Sequence, residues 1–239
     1  SIYSKLDLTF EETTEKKHVL THKVTKVHKQ YNKVIQKVTS LNMTGLVTAF
    51  LRPPPQQQIC FNNLDQKINR TEFINQRALV IGGSRGLGKV TAKVLSFGGA
   101  DVKITYHKGT EDAYQVVDEI IAGGGIADSF HLNVLEENIN FLSILKTKWA
   151  PTHMYYFATP FIASGKSRVF STSLFKKFCD FYVVGFQRIV EQLSQLGLKG
   201  VIYPSSVFVD NIPYNMGEYA IAKMAGEGLC SILQKTKKE

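Results

Sequence analysis

The 239-residue chain carries 29 Lys and Arg against 20 Asp and Glu, a formal net charge of +9, with 44% hydrophobic residues, an ordinary globular balance with enough apolar content for one large or two modest cores. No window approaches the roughly 18 uninterrupted apolar residues of a membrane span, and the N-terminus lacks the charged-then-apolar pattern of a secretory signal, so a cytoplasmic protein with no membrane partner is expected. The excess of positive charge does not read as a nucleic-acid surface. Between Lys16 and Lys37 the basic residues stand singly among Val, Thr and His, with Tyr31 alone able to stack on a base, which leaves small anionic ligands as the class that the field favours. Cys60, Cys179 and Cys230 lie far apart, without metal-binding or disulfide spacing.

The chain changes character near Arg52. Before it, the segments Lys5 to Phe10, His18 to Val27, Lys33 to Leu41 and Leu46 to Leu51 are rich in Val, Thr and Ile, with turn signals at Tyr31-Asn32 and Thr44-Gly45. They predict a small β-rich module over residues 1–52. The run Pro53-Pro54-Pro55-Gln56-Gln57-Gln58 continues neither a helix nor a central strand, and residues 53–70 read as a linker.

From residue 71 to 239 short apolar runs alternate with helical patterns. Strands are expected at Ala78 to Ile81, Asp101 to Tyr106, Ile126 to Leu132, His153 to Ala158 and Gly200 to Pro204. Helices are expected at Gly86 to Phe97, Glu111 to Ala122, about Glu136 to Lys148, Ser171 to about Leu196 and Gly217 to Lys235. This alternation predicts an α/β fold, a doubly wound parallel sheet of Rossmann type with helices on both faces. The Ser171 helix carries Phe175, Phe178, Cys179, Tyr182, Val183, Phe186, Ile189, Val190 and Leu193, a stripe wider than one sheet face needs.

The first strand of that region runs into Gly82-Gly83-Ser84-Arg85-Gly86-Leu87-Gly88, where a helix begins. A strand-to-helix turn of this kind lets a pyrophosphate approach backbone N–H groups at the helix N-terminus, and glycines keep Cβ atoms out of the way. Tyr219 and Lys223, four residues apart, share one face of the last helix, and Ser206 precedes Tyr219 by thirteen residues after a strand. Ketone reduction needs a proton donor at the carbonyl oxygen and a group to hold that oxygen while hydride arrives.

The spacing of Gly82, Gly86 and Gly88, followed in order by Ser206, Tyr219 and Lys223, resembles the short-chain dehydrogenase/reductase family. The resemblance implies that Tyr219 is the general acid in reduction and base in oxidation, that Ser206 holds the substrate oxygen, and that Lys223 binds the nicotinamide ribose and favours the tyrosinate by its charge. Ser205 is the neighbouring alternative to Ser206. The cofactor would lie along Gly82, Ser84, Arg85, Gly86, Leu87 and Gly88, with His107 and Lys108 at the end of the second strand, Asn133 beside the adenine, Ala158 after the fourth strand and Lys223 at the ribose. Basic Arg85 and Lys108, with no acid in the ribose position, favour NADP(H) over NAD(H).

Four departures from the family pattern stand out. Ile81 replaces the usual Thr before the first glycine, which removes a local hydrogen bond. Tyr156-Phe157-Ala158-Thr159 replaces the usual Asn-Asn-Ala-Gly, and Tyr182 occupies the place of the asparagine that completes a proton relay; a core aromatic is the expected reading of Tyr182, a substitute hydroxyl the other. The chain stops at Glu239, where the family continues into one or two further strands and a substrate loop, so either a fragment lacking those parts or their supply from elsewhere is expected.

Val47-Thr48-Ala49-Phe50-Leu51-Arg52-Pro53 faintly resembles the last strands of hot-dog-fold dehydratases and thioesterases, which handle acyl thioesters. Earlier in this region His22 and His28 flank lysines on a strand and are expected to be exposed, and His18 and His22, four apart, share no metal geometry, since that spacing on a strand separates them by about 13 Å. The reading is an NADP(H)-dependent oxidoreductase interconverting a ketone and a secondary alcohol, with a small-molecule substrate, a 3-oxoacyl thioester among the candidates. The family resemblance further implies a homodimer paired through the Ser171 helix. Two rivals remain: a sugar-nucleotide epimerase or dehydratase, for which Lys223-Met224-Ala225-Gly226-Glu227 speaks, and a catalytically weak cofactor-binding scaffold.

Overall fold

The computed structural model describes residues 2–12, 19–51, 58–65, 67–145, 149–162 and 169–236, which divide into two compact units, 1–57 and 58–239. His18, most of the Pro-Gln run and the C-terminal end of the helix expected to close at Lys148 lie outside the described residues.

The first unit is a four-stranded antiparallel sheet, β1 (Ile2–Phe10), β2 (Thr21–His28), β3 (Lys33–Ser40) and β4 (Met43–Phe50), in the order β1-β4-β3-β2. The β2–β3 connection turns through Asn32, held in the left-handed region at φ 48°, as the Tyr31-Asn32 signal suggests. The Thr44-Gly45 signal is corrected. Gly45 pairs within β4 with Val38 and Leu8, and the chain reverses at residues 41–42 instead. Val34, Val38 and Ala49 are buried on one face, His22 is exposed and His28 half-buried. Among its described residues this unit holds no α-helix for the sheet to wrap.

The second unit is built on β5 (Arg77–Ile81), α1 (Gly86–Phe97), β6 (Asp101–Tyr106), α2 (Thr110–Ala122), β7 (Ile126–His131), α3 (Phe141–Ile144), β8 (His153–Tyr156), α4 (Thr172–Cys179), α5 (Phe186–Ser194), β9 (Gly200–Ile202) and α6 (Gly217–Thr236). Its sheet is parallel throughout, in the order β7-β6-β5-β8-β9. Residues Ala78 to Ile81 of the central strand are fully buried, as a strand covered on both faces requires. Ala78 and Val80 enter a core with Ala92 and Leu95 of α1 and Val116 and Ile120 of α2. Leu79 and Ile81 enter the opposite core with Met154, Tyr156, Phe186, Ile189 and Leu193. The expected doubly wound α/β architecture is therefore present.

Three boundaries differ from the sequence reading. The helix expected from about Glu136 shrinks to α3, because asparagines redirect the backbone: Asn133 Oδ1 accepts from the Leu135 N–H at 3.2 Å, and Asn140 Oδ1 caps α3 by accepting from the Ser143 N–H at 3.0 Å. The helix from Ser171 is interrupted by a π-turn at Asp180–Gly185. Its stripe is largely used inside the chain, with Phe178, Tyr182, Phe186, Ile189, Val190 and Leu193 buried.

The third difference is the stretch after the Pro-Gln run, which is not free linker. Phe61 and Leu64 are buried, and Phe61 meets the Phe97 ring edge-on at 5.3 Å. An ionic staple fixes this stretch: Lys93 Nζ donates to Glu119 Oε1 at 2.6 Å and to the Ile59 carbonyl at 3.1 Å, while Glu119 also accepts the Phe61 N–H at 3.0 Å. Burial alone would push the Glu119 carboxyl up, but the Lys93 hydrogen bond, the Phe61 N–H and the charges of Lys93 and Lys89 together hold it below its ordinary value. Glu119→Ala leaves a buried ammonium uncompensated, and a loss of about 3–5 kcal/mol in denaturant unfolding is expected. Because the folded carboxyl is the stronger acid, its stabilisation is present above the ordinary Glu range and fades as pH falls toward the lower folded value. The gap between wild type and Glu119→Gln should narrow over that acid window, which urea titrations at stepped pH would read.

Candidate active site

The turn after β5 carries the geometry that a dinucleotide needs. Gly82 lies at φ 77°, and a Cβ there would stand 3.0 Å from the Ala158 nitrogen, so only glycine lets the end of β8 pass this close. A Cβ at Gly88 would collide with the Gly82 carbonyl, which is why the first turn of α1 can pack directly on the strand end. The turn is held from a neighbouring strand. Buried Thr105 on β6 accepts the Gly82 N–H on its Oγ1 at 3.1 Å, and its carbonyl accepts the Gly83 N–H at 3.0 Å.

Arg85 follows β5 and Lys108 follows β6, adjacent strands of the sheet. Arg85 Nη2 lies 3.1 Å from the Cβ position of Gly109, the residue after Lys108. Both basic side chains are exposed, as is His107, whose ring lies 5.5 Å from that of His131. The end of β6 carries no acid, as expected, but one stands on the helix that follows: Asp112, in the first turn of α2, accepts a hydrogen bond from Arg85 Nε. A carboxylate favoured by the N-terminal end of a helix dipole is reason enough for it to sit there, and no feature of the strand end announces it. Asn133 is half-buried after β7, with its oxygen engaged in its own turn. Ser84 is half-buried, while Gly86 and Leu87 are exposed along the turn, Leu87 at 72%.

Ser206, Tyr219 and Lys223 are tied to one another through their neighbours. Ser206 opens a 3-10 turn over Val207–Val209, its Oγ accepting the Phe208 N–H at 3.2 Å, which leaves its own proton free to donate. Phe208 in turn meets the Tyr219 ring edge-on at 6.2 Å. Tyr219 is 9% exposed and enclosed by the rings of Phe178 and Tyr182 at 5.6 and 5.7 Å. One turn along α6, Lys223 Nζ donates to the Pro204 carbonyl at 2.7 Å, two residues before Ser206. Ser205 points elsewhere: it donates to Glu227 Oε1 and is exposed. Glu218, buried beside Tyr219, accepts the Ser171 N–H at 2.6 Å and fastens the start of α4 to α6.

Tyr182 stands in the π-turn as a core aromatic, 1% exposed, its hydroxyl 2.5 Å from Thr159 Oγ1. Burial first, with the neighbouring Tyr219, pushes that hydroxyl well above the ordinary tyrosine range, against the Thr159 hydrogen bond. Burial likewise lowers Lys223 to about 8, against the charges of Cys230 and Glu227, which raise it. A cleft of about 330 Å³ lined by Val207, Phe208, Asn211 and Pro213 adjoins Ser206. The arrangement offers a hydroxyl donor, an enclosed tyrosine and a buried cation, which is the equipment for moving a proton at a carbonyl oxygen.

No protein-family model matches the chain. Over 64 residues, 27% of the chain, it is 45% identical to a 3-oxoacyl-[acyl-carrier-protein] reductase from Synechocystis, and the match spans 26% of that protein's length. Among solved structures, a short-chain dehydrogenase from Escherichia coli CFT073 complexed with NADPH aligns at TM-score 0.62 with 20% identity, over 70% of this chain and 74% of that one. A short-chain dehydrogenase from Burkholderia cenocepacia J2315 in complex with NADP aligns at TM-score 0.58 with 25% identity, over 69% of each chain. The second unit has the short-chain dehydrogenase/reductase fold, and the resemblance read from the glycine turn and the Tyr219–Lys223 pair is borne out at that level. No helix among the described residues is long and apolar enough to cross a membrane.

Proposed function

We propose that residues 58–239 form an NADP(H)-dependent oxidoreductase that interconverts a ketone and a secondary alcohol, with a 3-oxoacyl thioester as the substrate class, while residues 1–52 form a separate β-module. The observation that carries this reading is the placement of Tyr219 and Lys223 one helical turn apart on α6, bound through Phe208 and Pro204 to the two sides of Ser206, in a fold shared with NADP- and NADPH-bound dehydrogenases. The Synechocystis reductase supports the thioester. The cofactor would supply hydride. Its pyrophosphate would rest on the backbone N–H groups from Gly82 to Gly88, its 2'-phosphate between Arg85 and Lys108, its adenine near Asn133 and its nicotinamide ribose by Ala158 and Lys223.

In reduction, Ser206 donates a hydrogen bond to the substrate carbonyl oxygen, and Tyr219 gives that oxygen its proton as negative charge builds there. The Phe178 and Tyr182 rings exclude water from one flank of the tyrosine, so its hydroxyl meets the substrate in one orientation. Lys223 holds positive charge next to the reacting group and compensates the phenolate left behind.

The cofactor reading predicts tighter binding of NADPH than of NADH, by charge-assisted hydrogen bonds to the 2'-phosphate. Changing Arg85 and Lys108 together to Ala should erase the preference, and Asp112→Asn should sharpen it by releasing Arg85; equal affinities in the wild type, measured by calorimetry, would contradict it. Dimerisation through the side of α4 and α5 left uncovered by the sheet, where Val184 is 45% exposed, belongs to the same reading and requires a dimer mass in light scattering at micromolar concentration. A monomer there counts against it.

The chemistry is tested with 3-oxoacyl thioesters and NADPH. Tyr219→Phe keeps the ring packing and removes the proton, so turnover should fall by about 10² to 10⁴ with NADPH binding intact. Ser206→Ala should lower turnover with little change in cofactor affinity. Retention of more than about a tenth of the wild-type rate by Tyr219→Phe, well short of that acid–base contribution, would show the mechanism to be wrong.

A further inference from the structure

Lys223 is a buried cation with little conventional support. It is 7% exposed and forms no ion pair among the described residues. Its one hydrogen bond goes to the Pro204 carbonyl at 2.7 Å. Glu227, one turn along α6 and able to pair with it, takes the Ser205 hydroxyl instead. An ammonium removed from water without compensation is costly, and two aromatic faces are what surround it. The Nζ atom stands 4.3 Å from the centroid of the Tyr182 ring and 4.5 Å from that of Tyr203, both inside the roughly 6 Å reach of a cation–π contact.

The two rings are held by the backbone. The π-turn at Asp180–Gly185 widens the helix and leaves carbonyls without their usual partners. Tyr156 Oη donates to the Phe181 carbonyl at 2.7 Å, and Tyr203 Oη donates to the Tyr182 carbonyl at 3.2 Å. Tyr203 can come this near only because position 226 is glycine; a Cβ there would collide with the Tyr203 hydroxyl. The π-turn therefore sets Tyr182 and ties down Tyr203, and both rings turn a face to the same ammonium.

We propose that Tyr203 and Tyr182 are positioning residues that seat the Lys223 ammonium between their ring faces by cation–π attraction. This rests on the cofactor and catalytic role given to Lys223 above. The other groups facing the lysine are Glu227 and Cys230 of α6. Because burial already holds Lys223 near 8, the contribution of the rings falls within a readily titrated range.

The test is an NMR titration of the full chain with carbon-13-labelled lysine and without cofactor, the Lys223 signal being assigned by its loss in Lys223→Met. Tyr203→Phe keeps the ring and drops only the hydroxyl, and pentafluorophenylalanine at position 203 keeps the shape while reversing the charge distribution of the ring. The seat predicts a proton affinity within about twofold of wild type for Tyr203→Phe and one lowered roughly three- to thirtyfold for the fluorinated ring, the range of a partly to fully desolvated cation–π contact. An unchanged affinity with the fluorinated ring overturns the proposal, and so does an equal fall in Tyr203→Phe, which would assign the effect to the hydroxyl. Neither readout needs NADPH or turnover. A chain that shows the predicted pattern yet binds no NADPH keeps the seat and loses the proposed function.

Discussion

The second unit is organised by the need to bury both faces of β5. Ala78, Leu79, Val80 and Ile81 are all inaccessible, and alternate side chains on a strand point opposite ways, so helices must cover the sheet on both sides. The chain meets this by sending α1 and α2 to one face and α5 and α6 to the other. A strand so enclosed has to leave the sheet through a turn that admits backbone on every side. The Gly82–Gly88 segment is that turn, and it brings α1, the end of β8 and the Thr105 hydroxyl within contact of a single stretch of backbone. The phosphate site proposed at the C-terminal edge of this sheet would then be a consequence of packing as much as of sequence.

The departures from the family pattern become intelligible together. With an aromatic at position 182, the relay amide is gone, but the π-turn that carries Tyr182 still frees backbone carbonyls. Tyr156 and Tyr203 supply hydroxyls for them. Both tyrosine side chains lie in or beside the core under α6, where Gly226 makes room. The result is a lysine supported by rings rather than by an ion pair, at a position where burial alone would weaken its charge.

How much of this was legible depended on how local the cause was. The bounds of α1 follow from the glycine turn before it and the Gly98-Gly99 pair after it, and the Tyr219–Lys223 pairing follows from helical periodicity alone. The parallel order of the sheet follows from the alternation of elements. Thr105, Asp112 and the Lys93–Glu119 staple act across sequence separations of 23 to 27 residues, and no short window announces them. The polar-looking stretch after the Pro-Gln run concealed Phe61 and Leu64, two anchors whose burial depends on Gly123 and Gly125 leaving space beneath the Phe61 ring. The π-turn left no mark in the apolar stripe, because one extra residue per turn shifts the pattern less than the width of the stripe itself.

The proposed site is defined by where a dinucleotide lies. A crystal of the full chain grown with NADPH should show the pyrophosphate on the Gly82–Gly88 backbone, the 2'-phosphate between Arg85 and Lys108, and the nicotinamide ring beside the Tyr219 hydroxyl. Density for the nucleotide elsewhere on the chain, or a nicotinamide turned away from Tyr219, would contradict the proposed site.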